Sequence, residues 1–274
     1  MFAIKPTLVA MTWSLLALAS GAQAVENGPT PTLADLQKDG PYPVTSQKVT
    51  STAFGGGTIY SPNAAGKYAL VAVCPGFVSP ESSITDISRR LATHGFVVVT
   101  IATKTLLDFP ASRATQLLAA LKTAVATTTG PVVGKIDVTR QVVSGWSMGG
   151  GGTLEAAGAT PGLKAAVAYA PWDLSTTKIK TITVPTVIFG ATGDVIAPVA
   201  SHAQKFYDAM PASTKKQLAI LQGSDHFFPN TALEPVSYSN IAWVKRFADG
   251  DTRYGQFLSV TDAAWSKVQS NGPF

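Results

Sequence analysis

The sequence predicts an α/β protein: a mostly parallel central sheet with helices on both faces. Two observations carry this. Short, continuously apolar runs alternate with segments of helical spacing, the pattern of strands buried on both faces. One of those runs ends in Gly145-Trp146-Ser147-Met148-Gly149, a G-x-S-x-G pentapeptide followed by a helical pattern. The apolar content of 46%, with 14% charged residues, supports a substantial core.

The elements follow in order. Residues 1–24 read as a leader: Lys5 supplies a positive start, residues 8–19 are apolar, and Ala22-Gln23-Ala24 is an A-x-A cleavage signal. The apolar stretch is too short to span a bilayer. The mature chain is therefore expected to begin near Val25, as a secreted or periplasmic protein of one domain, residues 25–274. Residues 25–44 are rich in Pro and Gly and should wrap the surface. Strands are expected at 47–54, 58–61, 68–74, 96–101, 165–169, 186–189 and 217–221, with a further strand entering the pentapeptide. Helices are expected at 84–92, 112–126, 199–210 and 241–247, and after the glycines at Thr153-Leu154-Glu155-Ala156-Ala157.

The charge balance excludes some classes. The formal net charge is +5, but the basic residues are scattered (Lys178 and Lys180, Lys215 and Lys216, Lys245 and Arg246), without the stripe a nucleic-acid surface needs. No later segment is apolar enough to be a membrane helix. Cys74 is the only cysteine, so no intramolecular disulfide is expected; at the end of an apolar run it reads as a small core residue. Three histidines do not make a His-rich metal site. Neither metal nor cofactor is expected, and the chain is expected to be a monomer.

The pentapeptide is the chemical signal. A serine hydroxyl becomes an effective nucleophile when a sharp strand-to-helix turn holds it clear of its neighbours, beside a histidine. Glycines two before and two after remove the side chains that would collide there. Taken alone it is also compatible with a glycine-rich turn of no catalytic purpose. In the α/β-hydrolase fold the partners follow in the order Ser, Asp or Glu, His. His94 precedes Ser147 and is excluded; His202 lies within a helical pattern. His226 sits in a loop after the strand at 217–221 and is the favoured base. Asp194, in the loop after the strand at 186–189, is the favoured acid over Asp173, Asp208 and Asp225, the last of which could compete for the imidazole. The amide of Met148 and that of Phe77, in the loop after Cys74, are the candidate oxyanion donors. Few residues separate Pro171 from the next strand, which leaves no room for a lid.

With Ser147, Asp194, His226 and Pro75-Gly76-Phe77 in place, the chain resembles the bacterial cutinase-like polyester hydrolases, including the poly(ethylene terephthalate) hydrolases. Phe54-Gly55-Gly56-Gly57-Thr58-Ile59-Tyr60, His94-Gly95-Phe96, Gly145 to Gly152, Leu163-Lys164-Ala165-Ala166, Ala170-Pro171-Trp172, Ile196-Ala197-Pro198-Val199, Ala242-Trp243 and Asp251-Thr252-Arg253-Tyr254 carry it. The resemblance implies that Phe77, Trp146, Trp172 and Phe227 contact substrate, with Phe77 and Trp172 as opposite walls of the cleft; from the residues alone, Phe77 and Trp172 could equally be core. Trp146 is of the poly(ethylene terephthalate)-hydrolase type, whereas Phe227 resembles the cutinases. Ser259 and Gly272 stand where the family usually has a disulfide, and Thr192 and Gln222 where some relatives bind calcium through carboxylates. These departures suggest modest thermal stability. The function implied is a secreted serine esterase acting on polyesters and short acyl esters. A lipase or general carboxylesterase with the same triad, and a non-catalytic binding scaffold, are the alternatives.

Overall fold

The computed structural model describes Met1, residues 25–26 and residues 28–274. The expected leader lies outside the described residues. Nine strands form one sheet: β1 (Val44–Val49), β2 (Gly57–Pro62), β3 (Tyr68–Cys74), β4 (Val97–Ile101), β5 (Ile136–Trp146), β6 (Ala165–Tyr169), β7 (Thr186–Ala191), β8 (Lys216–Leu221) and β9 (Trp265–Ser270). Their spatial order is β1-β2-β4-β3-β5-β6-β7-β8-β9. The six from β4 to β8 are mutually parallel; β1, β2 and β9 pair antiparallel at the two edges.

Among the described residues, six helices accompany the sheet: α1 (Leu33–Leu36), α2 (Thr85–Thr93), α3 (Pro110–Val125), α4 (Met148–Ala159), α5 (Ala203–Ala209) and α6 (Glu234–Val244). Alternate residues of each parallel strand feed two cores. Val71, Val73 and Val98 join Leu91 of α2 and Ile241 of α6 on one face. Leu70, Ala72 and Val99 join Leu117 of α3, Leu154 of α4 and Phe206 of α5 on the other. This is the α/β-hydrolase fold that the alternating pattern predicts. Residues 171–185 carry only a single 3-10 turn, Ile179–Thr181, so no lid covers the sheet edge among the described residues. No helix there is long and apolar enough to cross a membrane.

Several expectations shift. The first strand lies at Val44–Val49 rather than 47–54, because it is a half-exposed edge strand with a weak apolar signal, and residues 52–55 form a bend. Within residues 28–43 lies the short helix α1, whose Leu36 is buried. The helix expected at 199–210 starts only at Ala203, with His202 as its N-cap. The closing helix begins earlier, at Glu234, and widens into a π turn, Lys245–Asp249. The strand β9 carries almost no apolar signal in the sequence: only Trp265 of its six residues is buried. Two of the scattered lysines are internal. Lys245 pairs with buried Asp249 at 3.0 Å, and the Lys216 ammonium donates to the Tyr207 and Met210 carbonyls.

The histidine excluded by chain order has a structural place. His94 Nε2 lies 3.0 Å from the Lys38 carbonyl oxygen, and burial holds its pKa down to about 4. The unfolded chain carries a histidine that protonates near 6.5, so between those values the unfolded state binds more protons and stability falls as pH falls. The loss amounts to about 2–3 kcal/mol by pH 4.5. Urea unfolding at pH 7 and pH 4.5 should show a drop that His94→Gln reduces by that amount; equal drops in both proteins would contradict it.

Candidate active site

The register of the sheet assembles the site. β3 and β5 are neighbours whose connections leave in opposite directions, with Cys74 opposite Gly145. Loops following such strands flank a crevice at the carboxyl edge of a parallel sheet. The loop after β3 carries Pro75-Gly76-Phe77, and the turn after β5 carries Ser147. The loops after β7 and β8, on the same edge, carry Asp194 and His226.

Ser147 has φ 57° and ψ −121°, a region that non-glycine residues rarely occupy. The turn is held by hydrogen bonds on all sides: the Ser147 amide donates to the Tyr169 carbonyl, and the Ser147 carbonyl accepts from the Gly151 and Trp172 amides, each at 2.9 Å. A side chain at Gly149 would collide with the Cys74 and Pro75 carbonyl oxygens, and one at Gly145 with the Gly149 carbonyl. Helix α4 starts at Met148, so the glycines 149–152 are its first turns rather than a linker preceding it. Each costs about 1 kcal/mol of helix propensity; what they permit is close approach of the loop after β3 (Gly149), of the residues after β6 (Gly150 and Gly151) and of α3 (Gly152). Serine is a good N-cap, yet here its side chain makes no capping bond and turns instead to His226.

The Ser147 hydroxyl lies 2.8 Å from His226 Nε2, and His226 Nδ1 lies 2.7 Å from Asp194 Oδ2. All three residues are buried to within 5% exposure. The other Asp194 oxygen accepts from the Ile196 and Ala197 amides, at 2.9 and 2.7 Å. Burial alone would raise the Asp194 pKa; the hydrogen bonds from His226 and from those two amides outweigh it and hold the carboxyl below its usual range. Asp194 is thus ionised near neutral pH. This geometry supports proton transfer from the serine to an oriented imidazole.

The competing residues lie elsewhere. The Asp225 carboxylate accepts from the Phe227 amide at 2.8 Å, Asp208 accepts from the Gln204 amide group, and Asp173 accepts from the Ser175 amide. His202 stacks on Trp172, with ring centroids 6.1 Å apart, and meets Phe206 edge-on. Cys74 is fully buried, and burial pushes its thiol up to about 12, as expected of a core residue rather than a reactive one.

Met148 is the first residue of α4, so its amide has no acceptor within the helix. Among the described residues, the Phe77 amide likewise donates to no backbone acceptor outside the regular elements. The aromatic residues divide into two kinds. Phe77 is 41% and Phe227 52% exposed, and Trp172 is half-buried. Trp146 is only 3% exposed: its indole N–H donates to the His226 carbonyl at 2.9 Å, and its ring packs against His226 and Phe227. It stands behind the histidine loop rather than on the open rim. That bond joins residues 80 apart in the chain, a pairing that no local sequence signal could reveal. Exposed Val195 and Ile196 extend the apolar rim beside Asp194, and exposed Leu174 extends it beyond Trp172.

Known proteins share a large part of this sequence. A cutinase of Thermobifida fusca is 45% identical over 260 residues, 93% of this chain and 86% of its own length. Cutinase 1 of Thermobifida cellulosilytica is 46% identical over 86% of this chain and 92% of its own. A bis(hydroxyethyl) terephthalate hydrolase of Streptomyces coelicolor is 48% identical over 87% of this chain and 79% of its own. The family model described as PET hydrolase-like matches residues 19–272. With the family model matching residues 19–272 and relatives 45–48% identical over most of the chain, this chain belongs to the PET hydrolase-like family.

Proposed function

We propose that this protein is a secreted serine esterase, a carboxylic ester hydrolase that cleaves polyesters of the cutin or aromatic type through an acyl-enzyme. Residues 25–274 act as one catalytic domain, as a monomer, after removal of residues 1–24. The observation that carries the reading is the unbroken hydrogen-bonded series Ser147–His226–Asp194 at the base of an apolar, unlidded rim.

The steps follow from the geometry. The Ser147 hydroxyl attacks the ester carbonyl carbon while His226 Nε2 takes its proton, and Asp194 holds the Nδ1–H tautomer and stabilises the imidazolium. The carbonyl oxygen becomes an oxyanion that accepts from the Met148 and Phe77 amides. Collapse of the tetrahedral species expels the alkoxide, which takes from Nε2 the proton that Ser147 gave up and leaves as the alcohol. A water molecule, deprotonated by His226, then attacks the acyl-enzyme; the carboxylic acid leaves and Ser147 regains its proton. Phe77, Trp172 and Phe227 provide apolar faces for the units flanking the scissile ester, and Trp146 supports that surface from behind while fixing the His226 backbone.

The test is a comparison of two substrates with the purified mature protein. Release of acid from an amorphous poly(ethylene terephthalate) or cutin-like polyester film should exceed hydrolysis of emulsified long-chain triglyceride at equal enzyme concentration. Inactivity on the film with rapid triglyceride hydrolysis would make this enzyme a lipase instead.

A further inference from the structure

A basic residue on the apolar side of α3 joins the site from below. Arg113 is 0% exposed and, among the described residues, has no carboxylate within ion-pair distance. Burying a cation without a counter-ion is expensive unless hydrogen bonds replace its hydration. Here three backbone carbonyls replace it. Nε donates to the Asp108 carbonyl at 2.6 Å, one terminal nitrogen to the Pro75 carbonyl at 3.0 Å, and the other to the Leu106 carbonyl at 3.1 Å. The planar fork of a guanidinium reaches three diverging acceptors that a lysine ammonium on the same stem cannot match.

Those acceptors belong to two loops of the crevice. Pro75 lies in the loop after β3, two residues before Phe77; Leu106 and Asp108 lie in the loop after β4. The Leu106 carbonyl also accepts from the Val78 amide at 2.9 Å. Phe77 is therefore bracketed: Pro75 on one side is bound directly to Arg113, and Val78 on the other is bound to a carbonyl that Arg113 also holds. The bracket has something to hold, because Val78 has φ 53°, a costly conformation for a β-branched residue. Gln116, one turn along α3, braces the same region by accepting from the Lys104 amide and donating to the Asp108 carboxylate, both at 2.8 Å.

We propose that Arg113 is a positioning residue of the oxyanion hole: its guanidinium clamps the loops after β3 and β4 so that the strained Phe77-Val78 segment presents the Phe77 amide to the reacting oxygen. This rests on the reading of the Phe77 amide as an oxyanion donor. Displacing a preorganised donor weakens interactions that form only in the transition state, so the effect falls on kcat and not on KM.

The test uses Arg113→Met and Arg113→Lys in the mature protein. Active sites are titrated with a fluorophosphonate, kcat and KM are measured on p-nitrophenyl butyrate, and inhibition by an alkylboronic acid, whose serine adduct places an oxygen in the hole, is measured alongside. For Arg113→Met, kcat per titrated site should fall about tenfold to a hundredfold, with boronate affinity falling in step and KM within about threefold of the wild type. Arg113→Lys, which keeps the charge and the stem, should fold and show an intermediate loss of about threefold to tenfold. The proposal is overturned if kcat per titrated site stays within twofold in Arg113→Met, or if boronate affinity is unchanged while kcat falls. Should Arg113→Met not fold, a wild-type kcat and boronate affinity in Arg113→Lys overturn it equally. Ser147→Ala is run in parallel: turnover retained there would refute the triad itself, whatever Arg113 does.

Discussion

Ser147→Ala should lower kcat on a soluble ester by about 10⁴- to 10⁶-fold, with the fold unchanged. The substitution removes the one atom that bonds to the acyl carbon and leaves His226 with nothing to deprotonate but water. Its structural consequences should be small. The Ser147 side chain makes no capping bond, and the backbone bonds to Tyr169, Gly151 and Trp172 do not depend on it. Circular dichroism and the urea midpoint should match the wild type, so that lost turnover reports chemistry rather than unfolding. Retention of more than about one part in a hundred of kcat would show that another group performs the attack.

Asp194→Asn should cost about 10⁴-fold in kcat near neutral pH, whereas Asp225→Asn should cost less than about threefold. The amide at position 194 would offer an N–H towards Nδ1 and favour the wrong imidazole tautomer, leaving Nε2 protonated and unable to accept from Ser147. Asp225 is adjacent to His226 in sequence, but its carboxylate is engaged with the Phe227 amide. Asparagine can keep that acceptor. An ester-hydrolysis assay on both variants decides between the two carboxylates; a large loss in Asp225→Asn with activity kept in Asp194→Asn would reverse their roles.

Much of the frame is legible in the sequence because it rests on local pattern. The strand β3 coincides with the apolar run 68–74, since a strand buried on both faces needs apolar residues at every position. Edge strands lack that constraint, so β1 is displaced and β9, with Lys267 and Gln269 among its residues, is invisible. Helix α4 begins earlier than expected because glycine normally signals a break in a helix, whereas here Gly149 permits close approach to the loop after β3, Gly150 and Gly151 to the residues after β6, and Gly152 to α3. Chain order removes His94, and the loop positions after β7 and β8 then favour Asp194 and His226 over the remaining aspartates and His202. What chain order does not contain is support from a distance, such as the indole of Trp146 on the His226 carbonyl. Arg113 left a faint trace: it lies four residues before Leu117 and eight before Leu121, on the buried side of α3, where a charge must have partners.

In the mechanism proposed, Ser147 carries the acyl group during turnover. Its most direct test is rapid quenching of the enzyme with p-nitrophenyl butyrate, followed by intact-mass and peptide mass spectrometry. A single butyryl adduct is expected on the peptide containing Ser147, absent from Ser147→Ala and accumulating in a variant whose deacylation is slowed. Catalytic turnover with no adduct in any variant, or an adduct on a residue other than Ser147, would contradict it.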